Sequence, residues 1–196
     1  SGTLDFAPVG VWSAARRCLF VAFRPQAATL GLGFVGGAGD VVALRVSEFG
    51  FTDLAQTLST SSFDSPAAVL YSASMDAVFL VIYSGNIAGY GIGTPSPSQY
   101  DIAVLRLNPN NFATFGQGAY GSAVRLFSLS PSLSASNPLT PRVLFKENDI
   151  AMDAICVDEL SSLFVVGQTD TSSSFLNRFN AFSVTLRWTV TWSGAL

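Results

Sequence analysis

Short apolar segments, separated by clusters of Gly, Pro, Asn and Ser, follow one another along most of the chain. The most apolar of them are Cys18–Phe23, Ala77–Ile82 and Leu163–Gly167. Their residues favour extended backbone, and the clusters between them are typical of turns. Ala77–Ile82 is apolar at every position, which predicts a strand that is buried on both faces. The pattern therefore predicts an all-β protein.

One pattern occurs twice: an acidic residue, four apolar residues, an arginine and another apolar residue. The two copies are Asp40–Val46 and Asp101–Leu107. We assign a looser third copy to Asn180–Leu186, in which Phe182 and Val184 alternate with polar residues, as in a strand that is solvated on one face. Such recurrence predicts a repeat protein.

Further short segments complete each repeat as a unit of four strands. The preceding segments are Val9–Trp12, Ala68–Tyr71 and Ala154–Val157, and the following ones are Leu54–Leu58, Phe112–Tyr120 and Trp188–Trp192. We therefore predict repeats over 1–66, 67–121 and 150–196. The intervening stretch, 122–149, is rich in Ser and Pro and is predicted to be an exposed excursion.

The second unit resembles the delta-60 repeat of bacterial-type β-propellers, because its aliphatic strand ends in Arg106-Leu-Asn-Pro and a Phe115-Gly-Gln-Gly turn follows. The third unit is similar to the related SBBP repeat, in which an aliphatic strand reaches Asp158 and the next strand ends in Gly167-Gln-Thr169. The resemblance implies propeller-like blades of four antiparallel strands, in an incomplete ring or part of a larger one. It also implies a scaffold or cell-surface role without catalytic residues. A β-trefoil, which also has three four-stranded repeats, is the alternative.

Contacts between the repeats are predicted at equivalent charged positions. Arg45 and Arg106 end the two matching strands, and Asp40 and Asp101 begin them. Arginine forms bidentate pairs with carboxylates, so we expect these residues to stabilise neighbouring blades through Arg–Asp salt bridges. The alternative is that both arginines face solvent.

The last predicted strand contains Trp188 and Trp192. An open stack of blades leaves edge strands whose backbone groups pair with other chains. Because tryptophan is enriched at interaction hot spots, we predict an interaction edge at these two residues. The alternative is that both side chains belong to the core of the blade.

Cys18 and Cys156 lie far apart in the sequence, each inside an apolar strand. We favour two isolated buried thiols. A disulfide in an oxidising compartment is the alternative, and the closure of so long a loop would contribute up to ~5 kcal/mol.

The composition excludes several classes of function. Acidic residues number 13 and basic residues 10, a net charge of −3, so there is no basic surplus for nucleic-acid binding. No apolar run approaches the roughly 20 residues of a transmembrane helix. Histidine is absent, which removes the most common neutral-pH base and metal ligand. Since 49% of residues are hydrophobic and only 12% charged, we expect surface that is buried in an assembly.

Candidate catalytic, metal and nucleotide sites are weak. The carboxylates of Asp158 and Glu159 point to opposite faces if they lie in a strand, so we interpret this pair as a solvated turn. Asp149 and Asp153 form the other close pair. The cluster at 146–149 lacks the spacing of a calcium loop, and the glycines at 31–37 are not followed by a predicted helix. We predict no catalytic residue, metal or cofactor, with a carboxylate-based glycan hydrolase or lyase as the enzyme alternative.

The sequence thus predicts a structural or interaction component of a larger extracellular or cell-surface assembly, whose partners are other protein chains. A carbohydrate-binding, lectin-like module with a glycan partner is one alternative. An accessory subunit of a large intracellular complex is another. The chain opens on Ser1 rather than Met, and we expect a mature or cleaved product.

Overall fold

The computed structural model describes residues 8–25, 40–58, 60–91, 101–120, 125–126, 142–143, 149–157, 161–169 and 173–193. These residues form strands and one short 3-10 helix, Ile87–Tyr90, so the prediction of an all-β protein is confirmed.

Three four-stranded sheets contain most of the strands. Sheet 1 contains β1 (Val9–Ser13), β2 (Cys18–Phe23), β3 (Val41–Ser47) and β4 (Thr52–Leu58). Sheet 2 contains β5 (Asp64–Ser72), β6 (Ala77–Ser84), β7 (Asp101–Leu107) and β8 (Thr114–Tyr120). The short strands β9 (Arg125–Leu126) and β10 (Arg142–Val143) pair with each other. Sheet 3 contains β11 (Asp149–Val157), β12 (Ser162–Thr169), β13 (Ser173–Asn180) and β14 (Thr185–Ser193).

Each large sheet is an antiparallel meander whose strands pair in chain order. The residue before the second strand has a positive φ in all three sheets: 51° at Arg17, 44° at Asp76 and 45° at Ser161. Positive φ is uncommon outside glycine, so this shared geometry marks the first hairpin as the same structural unit each time. The described strands thus form three antiparallel sheets of four strands each, with a similar first hairpin.

The boundaries of the repeats differ in detail from the prediction. β5 begins at Asp64, inside the segment assigned to the first repeat, and β11 begins at Asp149, the last residue of the predicted excursion. The rest of that excursion lies outside the described residues, apart from β9 and β10.

The third copy of the repeated strand was predicted at the wrong place. The third strand of sheet 3 is β13, and Asn180–Leu186 instead contains the turn between β13 and β14. The Oδ1 atom of Asn180 accepts hydrogen bonds from the backbone N–H groups of Phe182 and Ser183, at 3.0 and 2.9 Å. Asparagine stabilises turns in this way, and the resulting alternation of apolar and polar residues imitates a strand.

Sheet 2 lies between the other two sheets. β6 is buried at all eight positions, which confirms the prediction from its unbroken apolar sequence. Phe20 of sheet 1 packs in one core with Leu80 of sheet 2. On the opposite face, Phe79 of sheet 2 packs with Phe175 and Phe179 of sheet 3. Alternate residues of β6 therefore face different neighbours, as the two-residue period of a strand requires.

Candidate interaction faces

Arg45 connects sheet 1 to sheet 2. It lies on β3 directly opposite Phe20 of β2. Its Nη1 atom donates a hydrogen bond of 2.8 Å to the carbonyl oxygen of Pro109, in the turn between β7 and β8. Its Nε atom donates to Asp53 of its own sheet, also at 2.8 Å. The predicted contact between units is therefore present, with a backbone carbonyl as the acceptor across the interface.

Arg106 makes the equivalent contact between sheets 2 and 3. It lies on β7 opposite Phe79, and its Nη1 atom donates at 2.7 Å to the carbonyl oxygen of Phe182, in the turn between β13 and β14. Its guanidinium lies over the rings of Phe115 and Phe182, at 4.4 and 4.8 Å from their centroids. The side chain is only 7% exposed, and this burial lowers the pKa of Arg106 from its ordinary value. Cation–π contacts partly replace the lost hydration.

The predicted Asp–Arg bridges within the repeat pattern are not what joins the sheets. Asp40 and Asp101 are buried, at 2% and 1% exposure, at the start of the strands that Arg45 and Arg106 end. Five residues of extended strand span about 16 Å, so the aspartate and the arginine of each strand lie at opposite ends. Each arginine lies next to a turn of the neighbouring sheet, and a backbone carbonyl of that turn accepts its hydrogen bond.

A third arginine, Arg178, occupies the same position in sheet 3 and was missed in the sequence. It lies on β13 opposite Phe164, as Arg45 and Arg106 lie opposite their phenylalanines. In all three sheets a shift in strand register directly follows the arginine. The sequence before Arg178 is Ser-Ser-Phe-Leu-Asn, which breaks the pattern of one acid and four apolar residues. A search for an arginine followed by an apolar residue at the end of a strand would have found it.

The described contacts of Arg178 lie within its own sheet. Its Nε atom donates to Ser162 Oγ at 3.0 Å, and its guanidinium lies 5.9 Å from the centroid of Phe164. Phe164 in turn contacts Trp188 edge to face, with 6.0 Å between the ring centroids. Sheet 3 thus carries an arginine, a phenylalanine and a tryptophan together on the face that points away from sheet 2.

The turn that accepts each arginine also contributes one apolar side chain to the interface. Phe112, with a φ of 54°, is buried and contacts Phe20 edge to face at 6.2 Å. Val184, also with a φ of 54°, is fully buried in the core between sheets 2 and 3. In sheet 1 the corresponding turn exposes Phe49 and Phe51, at 77% and 72%. This turn has no described sheet in front of it.

Within the described part of the chain, two largely apolar faces have no further sheet in front of them. The Arg178 face is the outward side of sheet 3 and comprises the half-buried residues Phe164, Val166, Leu176, Arg178, Trp188 and Val190, with the exposed Trp192. The Phe51 face is the outward side of sheet 1 and comprises Trp12, Leu19, Val21, Leu44 and Val46, with Phe49 and Phe51 of the adjoining turn. In each strand these outward residues alternate with residues that face the neighbouring sheet.

Trp188 and Trp192 both lie on β14, the edge strand of sheet 3, as the sequence predicted. They share a strand face because they are four residues apart. Trp188 is half-buried against Phe164, whereas Trp192 is 38% exposed. A partner for these residues stays a prediction.

A closed polar network surrounds Asp64 in sheet 2. Asp64 is fully buried, and its Oδ2 atom accepts hydrogen bonds from the N–H and the hydroxyl of Thr60, at 2.6 and 2.9 Å. Ser84 and Tyr90 also hydrogen-bond to this carboxyl, but burial outweighs them and raises its pKa above the ordinary aspartate value. Tyr90 additionally donates to the carbonyl oxygen of Leu58 at 3.1 Å. No sequence pattern indicated this network.

Cys18 is a buried free thiol, and burial raises its pKa. The side chain of Cys156 lies outside the described part of β11, as do those of Asp149 and Asp153. Asp158, Glu159, the cluster at 146–148 and the glycines at 31–37 also lie outside the described residues.

The His, Cys, Asp and Glu side chains of the described residues form no group of three or more that could hold a metal ion. A cavity between sheets 1 and 2, lined by Phe20, Leu80 and Phe112 among other apolar side chains, has a volume of about 10 Å³. Such a space is about the minimum in which one water molecule fits. No helix in the described ranges has the length and apolar character to cross a bilayer.

Comparison with protein-family models found no match, and a search of curated protein sequences returned no significant match. The resemblance to delta-60 and SBBP repeats therefore stays a prediction from the sequence.

Proposed function

We propose that the protein is a structural or interaction component of a larger assembly, in which its sheets act as propeller-like blades. The observation that carries this proposal is the repeated contact between an arginine of one sheet and a turn carbonyl of the next. In repeat architectures each unit contacts its neighbours in the same way, and surfaces at the ends of the array need separate cover. Here both end faces expose aromatic rings.

The arrangement of the sheets supports blades. β5 contacts both β1 and β11, so the first strands of successive sheets lie close together, as in sheets that fan out from a common axis. Sheet 2 has a separate apolar core on each face, which favours stacked blades over the β-trefoil alternative. Propellers close with four to eight blades, so we propose that further sheets complete the ring.

Other protein chains are the partners that fit these faces best. Each face is a contiguous apolar strip that includes an exposed tryptophan, 51% exposed at Trp12 and 38% at Trp192. Contiguous exposed apolar surface is typical of protein interaction sites. The extracellular or cell-surface location, with an intracellular complex as its alternative, rests on the sequence.

The mass of the native material in solution tests this proposal. Material from the natural source, measured by native mass spectrometry, is expected to form a particle much heavier than the 20.7 kDa of one chain. Dissociation of that particle under denaturing conditions should release this chain. A native particle with the mass of one chain would contradict the proposal.

Glycan binding distinguishes the carbohydrate-binding alternative. If the purified chain bound a defined glycan on an array, and if Trp192→Ala abolished that binding while Trp12→Ala preserved it, a lectin-like module would replace the assembly component. We expect no such binding.

A further inference from the structure

We propose that the Arg178 face binds the Phe51 face of a second copy of the chain, and that two copies close a ring of six sheets. This inference rests on the proposed function and adds the identity of the partner. The two interfaces inside the chain provide the template, because the same set of groups meets at both of them.

The internal template has three parts. An arginine at the end of the third strand donates to a turn carbonyl of the next sheet, at 2.8 Å for Arg45 and 2.7 Å for Arg106. The phenylalanine opposite each arginine, Phe20 or Phe79, is buried in the interface core. The turn of the next sheet then adds an apolar side chain to the same core.

The Arg178 face has the first two parts of this template. Arg178 and Phe164 stand in the same register as the arginines and phenylalanines of the internal interfaces. Phe164 is half-buried, whereas Phe20 and Phe79 are buried, and the described contacts of Arg178 are to Ser162 and Phe164 of its own sheet. A further sheet on this face would bury Phe164 as Phe79 is buried.

The Phe51 face has the third part. Each internal acceptor carbonyl can be located from the arginine of its own sheet. Pro109 lies three residues after Arg106, and Phe182 lies four residues after Arg178. The same offsets from Arg45 give the carbonyls of Glu48 and Phe49 in the turn of sheet 1. Phe49 and Phe51 lie beside them and are highly exposed. Phe51 follows Arg45 by six residues, as Phe112 and Val184 follow Arg106 and Arg178, although the positive φ of this turn is at Gly50.

A second copy fits because one chain carries both halves of the contact at opposite ends of its stack. The Arg178 face of each copy can meet the Phe51 face of the other, which forms two identical contacts and closes the arrangement. The described parts of two copies contribute six four-stranded sheets, within the four to eight blades that propellers use, whereas three such sheets are too few. A head-to-tail contact that closes in this way yields a discrete dimer, and one that does not close yields a filament.

Sedimentation of the purified full-length chain tests the inference. We expect a dimer with twice the mass of one 20.7 kDa chain. Phe51→Ser and Arg178→Glu should each weaken dimerisation by roughly a hundredfold, since each changes both contacts in the ring. Phe115→Ser removes a 48% exposed ring from sheet 2 outside both faces. As the control it should leave the dimer intact, although it also removes one of the two rings that cover Arg106 inside the chain. Circular dichroism checks that each variant folds.

Mixing the two variants distinguishes head-to-tail from head-to-head contact. A mixed pair retains one unaltered Arg178 face opposite one unaltered Phe51 face, so an equimolar mixture should recover part of the dimer. A wild-type chain that stays monomeric as its concentration is raised would overturn the inference. A dimer that Phe51→Ser leaves unchanged would overturn it as well. If the native material were a large particle while the purified chain stayed monomeric, the proposed function would stand and the second copy would be the wrong partner.

Discussion

Sheets 2 and 3 have the same strand order and the same arginine opposite the same phenylalanine, yet they differ in burial. Arg106 is 7% exposed between two aromatic rings, with a carbonyl of the next sheet as its acceptor. Arg178 is half-buried, and its described partners are in its own sheet. Arg45 is half-buried as well, although sheet 2 lies in front of it, so the clearest difference is at the paired phenylalanines: Phe20 and Phe79 are buried, whereas Phe164 is half-buried.

The largest expected effect comes from truncation of the paired phenylalanines. Phe79→Ala removes a fully buried ring between sheets 2 and 3 and should lower the free energy of unfolding by about 3–5 kcal/mol. Phe164→Ala removes the equivalent ring from the open face and should cost about 1 kcal/mol, because its surroundings are partly solvated already. Urea denaturation at a concentration where the chain is monomeric measures both. Equal losses would show that coverage does not distinguish the two faces.

Loss of Arg106 should likewise lower the free energy of unfolding more than loss of Arg178, by a smaller margin than for the two phenylalanines. Arg106→Ala leaves the carbonyl of Phe182 without its charged donor and should cost about 2 kcal/mol. Arg178→Ala removes a partly solvated hydrogen bond to Ser162 and should cost less than about 1 kcal/mol in the monomer. The same denaturation experiment compares them, and a larger loss at Arg178 would contradict the difference in coverage.

The buried carboxyl of sheet 2 should produce a distinct pH dependence. Since the pKa of Asp64 is raised in the folded chain, the folded state holds this proton more tightly than the unfolded state. The resulting stabilisation is complete below the ordinary aspartate pKa of 3.8 and is lost as the pH rises through the raised pKa. One proton changes the free energy of unfolding by at most about 1.4 kcal/mol per pH unit in that window. Asp64→Asn should remove this trend. Parallel curves for the two chains, from thermal unfolding across this pH range, would disprove it.

Asp76 provides a control for the pH dependence of Asp64, because its pKa is shifted in the opposite direction. Arg16 of sheet 1 donates to Asp76 of sheet 2, with 2.6 Å between Nε and Oδ1, and this pair lowers the pKa of the carboxyl. Its contribution should be present above the ordinary aspartate pKa and be lost as the pH falls through the lowered value. Asp76 is 54% exposed, so the effect should be small. Asp76→Asn should therefore change the pH dependence weakly and in the opposite direction.

The smallest expected effect on stability comes from the turn at Ser161, and it should not depend on whether the outer faces are covered. Ser161 has a φ of 45° in an exposed turn, where glycine is not strained. Ser161→Gly should stabilise the chain by up to about 1 kcal/mol, and Ser161→Ala, which stays strained, should not. Differential scanning calorimetry of the two variants compares them. A destabilising glycine would show that the positive φ stores no strain.

The sequence predicted those features that depend on local pattern. β2 has the predicted bounds, and the unbroken apolar run of β6 indicated two buried faces. The third copy of the repeated strand was misplaced because Asn177 interrupts the apolar run of β13 and the turn at Asn180 imitates strand alternation.

The acceptors at the sheet interfaces could not be predicted from the sequence. Backbone carbonyls such as that of Pro109 have no sequence signature, so a carboxylate was the expected partner of Arg45. Asp64 was missed for a related reason, because its burial depends on Thr60, Ser84 and Tyr90, which meet only when the strands pair.

Hydroxyl-radical footprinting of the native material tests the central claim most directly. If the two faces are covered in the native material, Trp12, Phe51 and Trp192 should be oxidised much more slowly there than in the purified monomeric chain. Phe115, which lies outside both faces, should react equally in the two samples. Equal oxidation of all four side chains would contradict the claim that the open faces of this stack are covered by further sheets.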